Sequence, residues 1–414
     1  MYKNEKVYKN NSNIKYYFEK SNVDCDKLIV IFSGYADKTS KIKHKYNYVN
    51  SLRYINCHKL FILDDNGETG SYYLGKKLNF DVESSVISLI LDTVAFLDIP
   101  MKNVIALGSS KGGSAAIYYG LKYKFGTIIS GGFQTKISEL ISTRRPESEE
   151  FLLGHKESDE YNKKFSELNN IIFEQLQSPV RSNMYLMTSE NDWQYNTHVA
   201  PFIEYLDDMQ IDYYLEKSDE MKNHSEISTY FPKFFNITLL KVLYGIELND
   251  VCTSNSKDGI NVNLTYISNN DNYTLHIYSK VDSEEFLHDI NGNFIPDKPG
   301  YYSTYILITD NKKREHYRYL ISREFNGAGY YDILSSIAKI ENNELCYEIN
   351  TTKQDEVTFA FYIYENDELL EFIPFQKNNR FKRIIKSIND YKIKCYIKSC
   401  DGTKVVIKEN PTLI

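Results

Sequence analysis

The hydrophobic period of this chain changes once along its length, and that change limits what it can fold into. From about residue 13 to 245 there are six short, β-rich, almost continuously apolar runs: LIVIFS (28–33), KLFILD (59–64), NVIALGS (103–109), GTIISGG (126–132), NMYLMTS (183–189) and IDYYLEK (211–217). Strands of that kind are buried on both faces. Between them lie stretches of helical period, SSVISLILDTVAFL (84–97), SAAIYYGLKY (114–123), HVAPFIEYLDDM (198–209) and EISTYFPKFFNITLLKVLY (226–244). This alternation predicts an α/β class, a mostly parallel sheet with flanking helices. After about residue 250 the period becomes two. Val357, Phe359, Phe361 and Ile363 fall on one side of their run, and Tyr391, Ile393, Cys395 and Ile397 alternate with lysines and one tyrosine. Both patterns predict half-buried antiparallel strands, hence an all-β, sandwich-like C-terminal region.

The length of 414 residues predicts two or three domains. We place the first at 1–248. A weak internal repeat, YTLHIYSK (273–280) with PGYYSTYILITDN (299–311) and then VTFAFYIY (357–364) with NDYKIKCYIKSCDG (389–402), divides the remainder into β-sandwich modules at 249–328 and 329–414. Residues 133–180 interrupt the strand and helix rhythm with a polar, helix-prone insertion that reads as a lid or cap.

Forty-nine Lys and Arg stand against 56 Asp and Glu, a net charge of −7, with no basic stripe, so nucleic acid is not expected as a partner. No apolar run reaches the roughly 18 residues of a membrane span, and the polar N-terminus shows no export signal, which predicts a cytoplasmic location. Six scattered cysteines (Cys25, Cys57, Cys252, Cys346, Cys395, Cys400) form no CxxC pair and no zinc spacing with histidine. Reduced structural thiols follow, with neither disulfide nor metal. The 36 tyrosines read first as a consequence of genome composition and as sheet-filling residues, with a sugar-stacking face in the β region as the alternative.

The string NVIALGSSKGGSAA (103–116) carries the chemistry. It contains G-x-S-x-G as Gly108-Ser109-Ser110-Lys111-Gly112, directly after a strand and directly before a helix, the setting of a nucleophile elbow. Side chains two residues before and after Ser110 would collide across the strand–helix crossing, which gives the glycines a mechanical reason. Ser110 then projects its hydroxyl above the sheet, and the Lys111 backbone N–H faces the same space at a helix N-terminus. A triad in the order Ser, acid, His requires an acid after the next-to-last strand and a histidine after the last. Asp192 meets the first requirement, with Glu190 as the near alternative, and His224 meets the second. His224 is expected to move the Ser110 proton, and the acid to fix the imidazole tautomer. The second oxyanion donor is expected in FSGYADK, from the N–H of Gly34 or Tyr35.

Plainer readings exist for each group. Ser110 could be a helix N-cap, and GSSKGGS could cradle phosphate, although it lacks the G-K-[ST] ending of a P-loop. His44, His58, His155 and His198 read as surface or packing residues. Arg144 and Arg145 read first as solvated charges, with binding of an acidic group as the alternative.

At these residues the sequence resembles the α/β-hydrolase superfamily over about residues 13–245, with Ser110, Asp192 and His224 matching its triad. The elbow GSSKGGSAA and the appended β region look like bacterial surface-glycan proteins: hydrolase-like proteins of capsular-polysaccharide biosynthesis, and the sugar O-acetyltransferase of the accessory secretion system for glycosylated adhesins. KPGYYSTYILITDN is similar to immunoglobulin-like bacterial accessory modules. The resemblance implies a serine esterase or O-acyltransferase acting on a carbohydrate ester, with an acyl donor such as acetyl-coenzyme A if it is a transferase and no resident cofactor. It also implies glycan-assembly or export proteins as partners. The alternative from another class is a catalytically silent scaffold, which a blocked pocket or a splayed His224 would favour. A lipid esterase would need an apolar tunnel, and a peptidase a peptide cleft.

Overall fold

The computed structural model describes residues 4–36, 42–256, 259–328, 331–385, 389–399, 402 and 404–413. Cys400 lies outside them. The chain divides into two compact units, one of residues 1–247 with 268–270 and one of 248–267 with 271–414.

The first unit is built on an eight-stranded sheet: β1 (Lys6–Lys9), β2 (Asn13–Glu19), β3 (Leu28–Phe32), β4 (His58–Ile62), β5 (Val104–Ser109), β6 (Thr127–Gly131), β7 (Asn183–Thr188) and β8 (Tyr213–Lys217). Their order across the sheet is β1-β2-β4-β3-β5-β6-β7-β8. The six strands read from the sequence pair in parallel, and the antiparallel β1–β2 hairpin adds to the β4 edge. The hairpin is invisible to the apolar-run criterion because KVYK and NIKYYFE mix charged with apolar residues and are mostly only half-buried.

Every residue of β3 and β4 is buried, as strands covered on both faces must be. Leu28, Val30 and Phe32 of β3 join the cluster formed with α1 (Asp81–Leu97), α2 (Lys111–Lys122) and α6 (Ala200–Asp208). Ile29 and Ile31 point to the opposite face, where Phe231 of α7 (Ile227–Tyr244) lies against Gly131. The 133–180 insertion forms α3 (Ile137–Arg144), α4 (Pro146–Leu153), α5 (Tyr161–Asn170) and a 3₁₀ turn at Phe173–Gln177. Ser148 of α4 is hydrogen-bonded to the Gly70 carbonyl and the Tyr35 hydroxyl, which ties the insertion to the loops after β3 and β4.

The thiols of Cys25 and Cys57 lie 3.2 Å apart, and the Cys57 hydrogen bond draws the Cys25 thiol down to about 7. Their separation in sequence hid this approach. Among the described residues no helix is long and apolar enough to cross a membrane.

The second unit holds small sheets of mainly antiparallel strands. Strands between 246 and 326 form two of them, and strands between 333 and 413 form another two. The period-two reading holds here. Val357, Phe359, Phe361 and Ile363 are buried and pack with buried Tyr391, Ile393, Cys395 and Ile397.

Candidate active site

Ser110 stands between β5 and α2 with φ 53 and ψ −127, a left-handed conformation that a residue with a side chain adopts only under strain. Two close approaches hold it there. A Cβ on Gly108 would sit 2.2 Å from the Gly112 carbonyl oxygen, and one on Gly112 would sit 2.3 Å from that of Phe32. The Ser110 N–H donates to the Gly131 carbonyl at 2.8 Å, which pins the elbow to β6.

His224 comes from the short 3₁₀ turn after β8, where the Asn223 side chain caps the Ser225 N–H. Its Nε2 lies 3.0 Å from Ser110 Oγ and its Nδ1 2.7 Å from Asp192 Oδ2. Asp192 is buried in the loop after β7, and its other oxygen accepts the Gln194 N–H at 2.9 Å. The geometry separates the two candidate acids, because Glu190 is on the surface, ion-paired with Lys217 at 2.7 Å. Trp193 closes one side of the imidazole with its ring centroid 6.0 Å away.

One sequence expectation needs correction, and one residue is added. The Gly34 N–H is not an open oxyanion donor, because it donates to Asn47 Oδ1 at 3.0 Å. Of that pair, the Tyr35 N–H remains the candidate. The addition is Gln134, which follows β6 and is 2% exposed. Its Nε2 donates to Ser110 Oγ at 3.0 Å, and the Tyr72 hydroxyl donates to its Oε1, which turns the amide NH₂ toward the nucleophile. Ser114 Oγ accepts its backbone N–H. No motif marks Gln134, and the only signal was its place at the carboxyl end of a buried strand.

Lys111 is unusual for the residue after a nucleophile. Its side chain is 1% exposed, and Nζ lies 2.6 Å from Asp64 Oδ2 at the end of β4. It sits 5.3 Å from the ring centroids of both Tyr35 and Tyr73. Burial pulls its ammonium below the usual range, against the opposing pull of Asp64. Asp64 also accepts from the Ser71 N–H and hydroxyl.

The histidines set aside from the triad lie elsewhere. His58 is buried, accepts the Ser21 N–H and stacks on Phe18, and His155 lies near Glu150 on α4. His198 is buried, accepts the Lys136 N–H, and is pushed down to about 4 by burial. His44 is half-buried and shifts down for the same reason.

Ser110 and His224 open into a cleft of about 590 Å³, lined also by Tyr35, Asn47, Tyr48, Leu140, Arg144, Arg145, Trp193 and Gln194. Strand order, elbow and the Ser, Asp, His sequence of contributing loops coincide here. The first unit has the α/β-hydrolase fold.

No family model matches the chain, and no curated protein matches it. Among solved structures, a capsule O-acetyltransferase of Neisseria meningitidis serogroup A is 20% identical with a TM-score of 0.47, over 55% of this chain and 91% of that one. The glycosylation-associated Gap123 complex from Streptococcus agalactiae is 17% identical with a TM-score of 0.46, over 57% of this chain and 46% of that one. FphF, a fluorophosphonate-binding serine hydrolase of Staphylococcus aureus, is 14% identical with a TM-score of 0.43, over 56% and 92%.

Proposed function

We propose that the chain is a serine acyl-transfer enzyme that works through an acyl-Ser110 intermediate, as an esterase or an O-acyltransferase on a carbohydrate ester. The observation that carries this is the continuous hydrogen-bonded line Ser110–His224–Asp192 opening into a cleft. His224 Nε2 takes the Ser110 proton as Oγ attacks the ester carbonyl, and Asp192 holds Nδ1–H and stabilises the imidazolium. His224 then protonates the leaving alkoxide or thiolate. Water or a sugar hydroxyl, deprotonated by the same imidazole, releases the acyl group, so hydrolysis and transfer share these residues. The Lys111 and Tyr35 N–H groups serve the oxyanion from the helix N-terminus and the β3 loop.

The cleft lining supports a polar substrate, because arginine, asparagine, glutamine and tyrosine outnumber the aliphatic residues among those that line it. The carbohydrate assignment comes from the sequence resemblance of the elbow to bacterial surface-glycan proteins. On this reading the β region acts as two modules, 249–328 and 329–414, that engage the glycan or the proteins of its assembly or export in the cytoplasm. Acetyl-coenzyme A is the first donor to try for transfer.

The test is labelling by a fluorophosphonate probe alongside turnover of p-nitrophenyl acetate. Wild type is expected to label and turn over, and Ser110→Ala to do neither. A folded wild type that never labels would sink the proposal and return the chain to the scaffold class. Gln134→Leu keeps the side chain's size but removes the donor to Oγ. It is expected to lower kcat about 10²- to 10³-fold with a smaller change in KM, the size of a lost oxyanion donor. A kcat within about threefold of wild type would show that Gln134 only fills space.

A further inference from the structure

Arg144 and Arg145 sit at the junction of α3 and α4 and line the cleft together with Lys45. Among the described residues no aspartate or glutamate lines it, although the chain as a whole carries a net charge of −7. Other cations of this unit are neutralised: Lys111 by Asp64, Lys122 by Glu83 and Lys15 by Asp65. Among the described residues, the two arginines and Lys45 have no ion-pair partner. Glu139 is engaged with Asn169 and Glu149 with Tyr161 and Lys156, while Glu147, the carboxylate nearest in sequence, is exposed and pairs with neither arginine.

Both guanidinium groups are nevertheless held in place. That of Arg144 lies 3.7 Å over the Trp193 ring, and that of Arg145 4.5 Å over the Tyr35 ring. A guanidinium held over an aromatic face is kept in place by the ring while its N–H donors stay available to another partner. Two adjacent, oriented and unneutralised forks are suited to bidentate capture of a planar or tetrahedral oxyanion.

We infer that Arg144 and Arg145, with Lys45, form a subsite for a phosphate or carboxylate group carried by the substrate. The inference rests on the acyl-Ser110 reading and gives that site a charge preference. The group could belong to an acidic sugar or to a nucleotide-type acyl donor. The shared chemistry is an oxyanion held at the mouth of the cleft while the ester reaches Ser110.

The first measurement compares kcat/KM for para-acetoxybenzoate and for its uncharged methyl ester. Wild type is expected to favour the anion by about ten- to hundredfold, the range for hydrogen bonds to a charged group. In Arg144→Gln/Arg145→Gln the ratio is expected to fall to near unity. A wild-type ratio near unity, or one that the double variant keeps, would overturn the subsite. Direct binding by calorimetry gives the source of the charge. Galacturonate binding in preference to galactose places it on the sugar, and ADP in preference to adenosine places it on the donor. Failure to bind either anion also counts against the subsite. If neither ester is turned over and the fluorophosphonate does not label, the acyl-enzyme reading fails instead, and calorimetry still decides the subsite on its own.

Discussion

Replacing His224 by alanine is expected to lower kcat on p-nitrophenyl acetate by about four to six orders of magnitude, with KM almost unchanged. Among the described residues the imidazole is the only group within hydrogen-bond distance of Ser110 Oγ that can accept its proton, since Gln134 donates to the same oxygen. Asp192→Asn should cost about 10⁴-fold, because an amide at 2.7 Å can donate to Nδ1 and stabilise the wrong tautomer. Residues acting as one unit do not add, so Ser110→Ala/His224→Ala should be no slower than Ser110→Ala alone. Steady-state rates on the three variants check this. A His224→Ala enzyme within about tenfold of wild type would show that another base serves Ser110 and would undo the triad assignment.

The second large effect is on stability. Asp64→Asn leaves the Lys111 ammonium buried against two tyrosine rings without its carboxylate, and breaking one side of such a pair costs about 3–5 kcal/mol. Asp64→Asn/Lys111→Met removes both charges and should regain much of that loss. The pH dependence has a definite sign. Burial already holds the folded Lys111 below its unfolded value of 10.5, and without Asp64 the depression deepens. The unfolded chain then binds a proton that the native state sheds, so Asp64→Asn should gain stability as pH rises toward 10.5, more steeply than wild type. Urea unfolding at neutral and alkaline pH measures both effects. A loss below about 1 kcal/mol at neutral pH would mean that water reaches the pair.

Much of this was legible in the sequence, for identifiable reasons. Buried parallel strands cannot hide their composition, so the six apolar runs marked the sheet, and the Gly108 and Gly112 contacts follow from the close crossing that G-x-S-x-G encodes. Asp192 and His224 were found because chain order and strand ends restrict where partners can come from. Other features were hidden by tertiary context. The buried ion pair of the Lys111 side chain was not legible because nothing local announces Asp64, 47 residues earlier. Gln134 belongs to no motif, and its role depends on Tyr72, 62 residues away, which turns its amide. Gly34 was misjudged because Asn47, across an irregular loop, takes its N–H.

The chain has a single tryptophan, and it stands at the mouth of the cleft with Arg144 over its face and His224 at its side. Its emission therefore comes from the candidate site alone, although the protein has 414 residues and 36 tyrosines. Occupancy of the cleft, a proton on the imidazole or displacement of the arginine would each change the surroundings of that one indole. Selective excitation of Trp193 makes the enzyme its own optical sensor, needing neither an attached dye nor a chromogenic substrate.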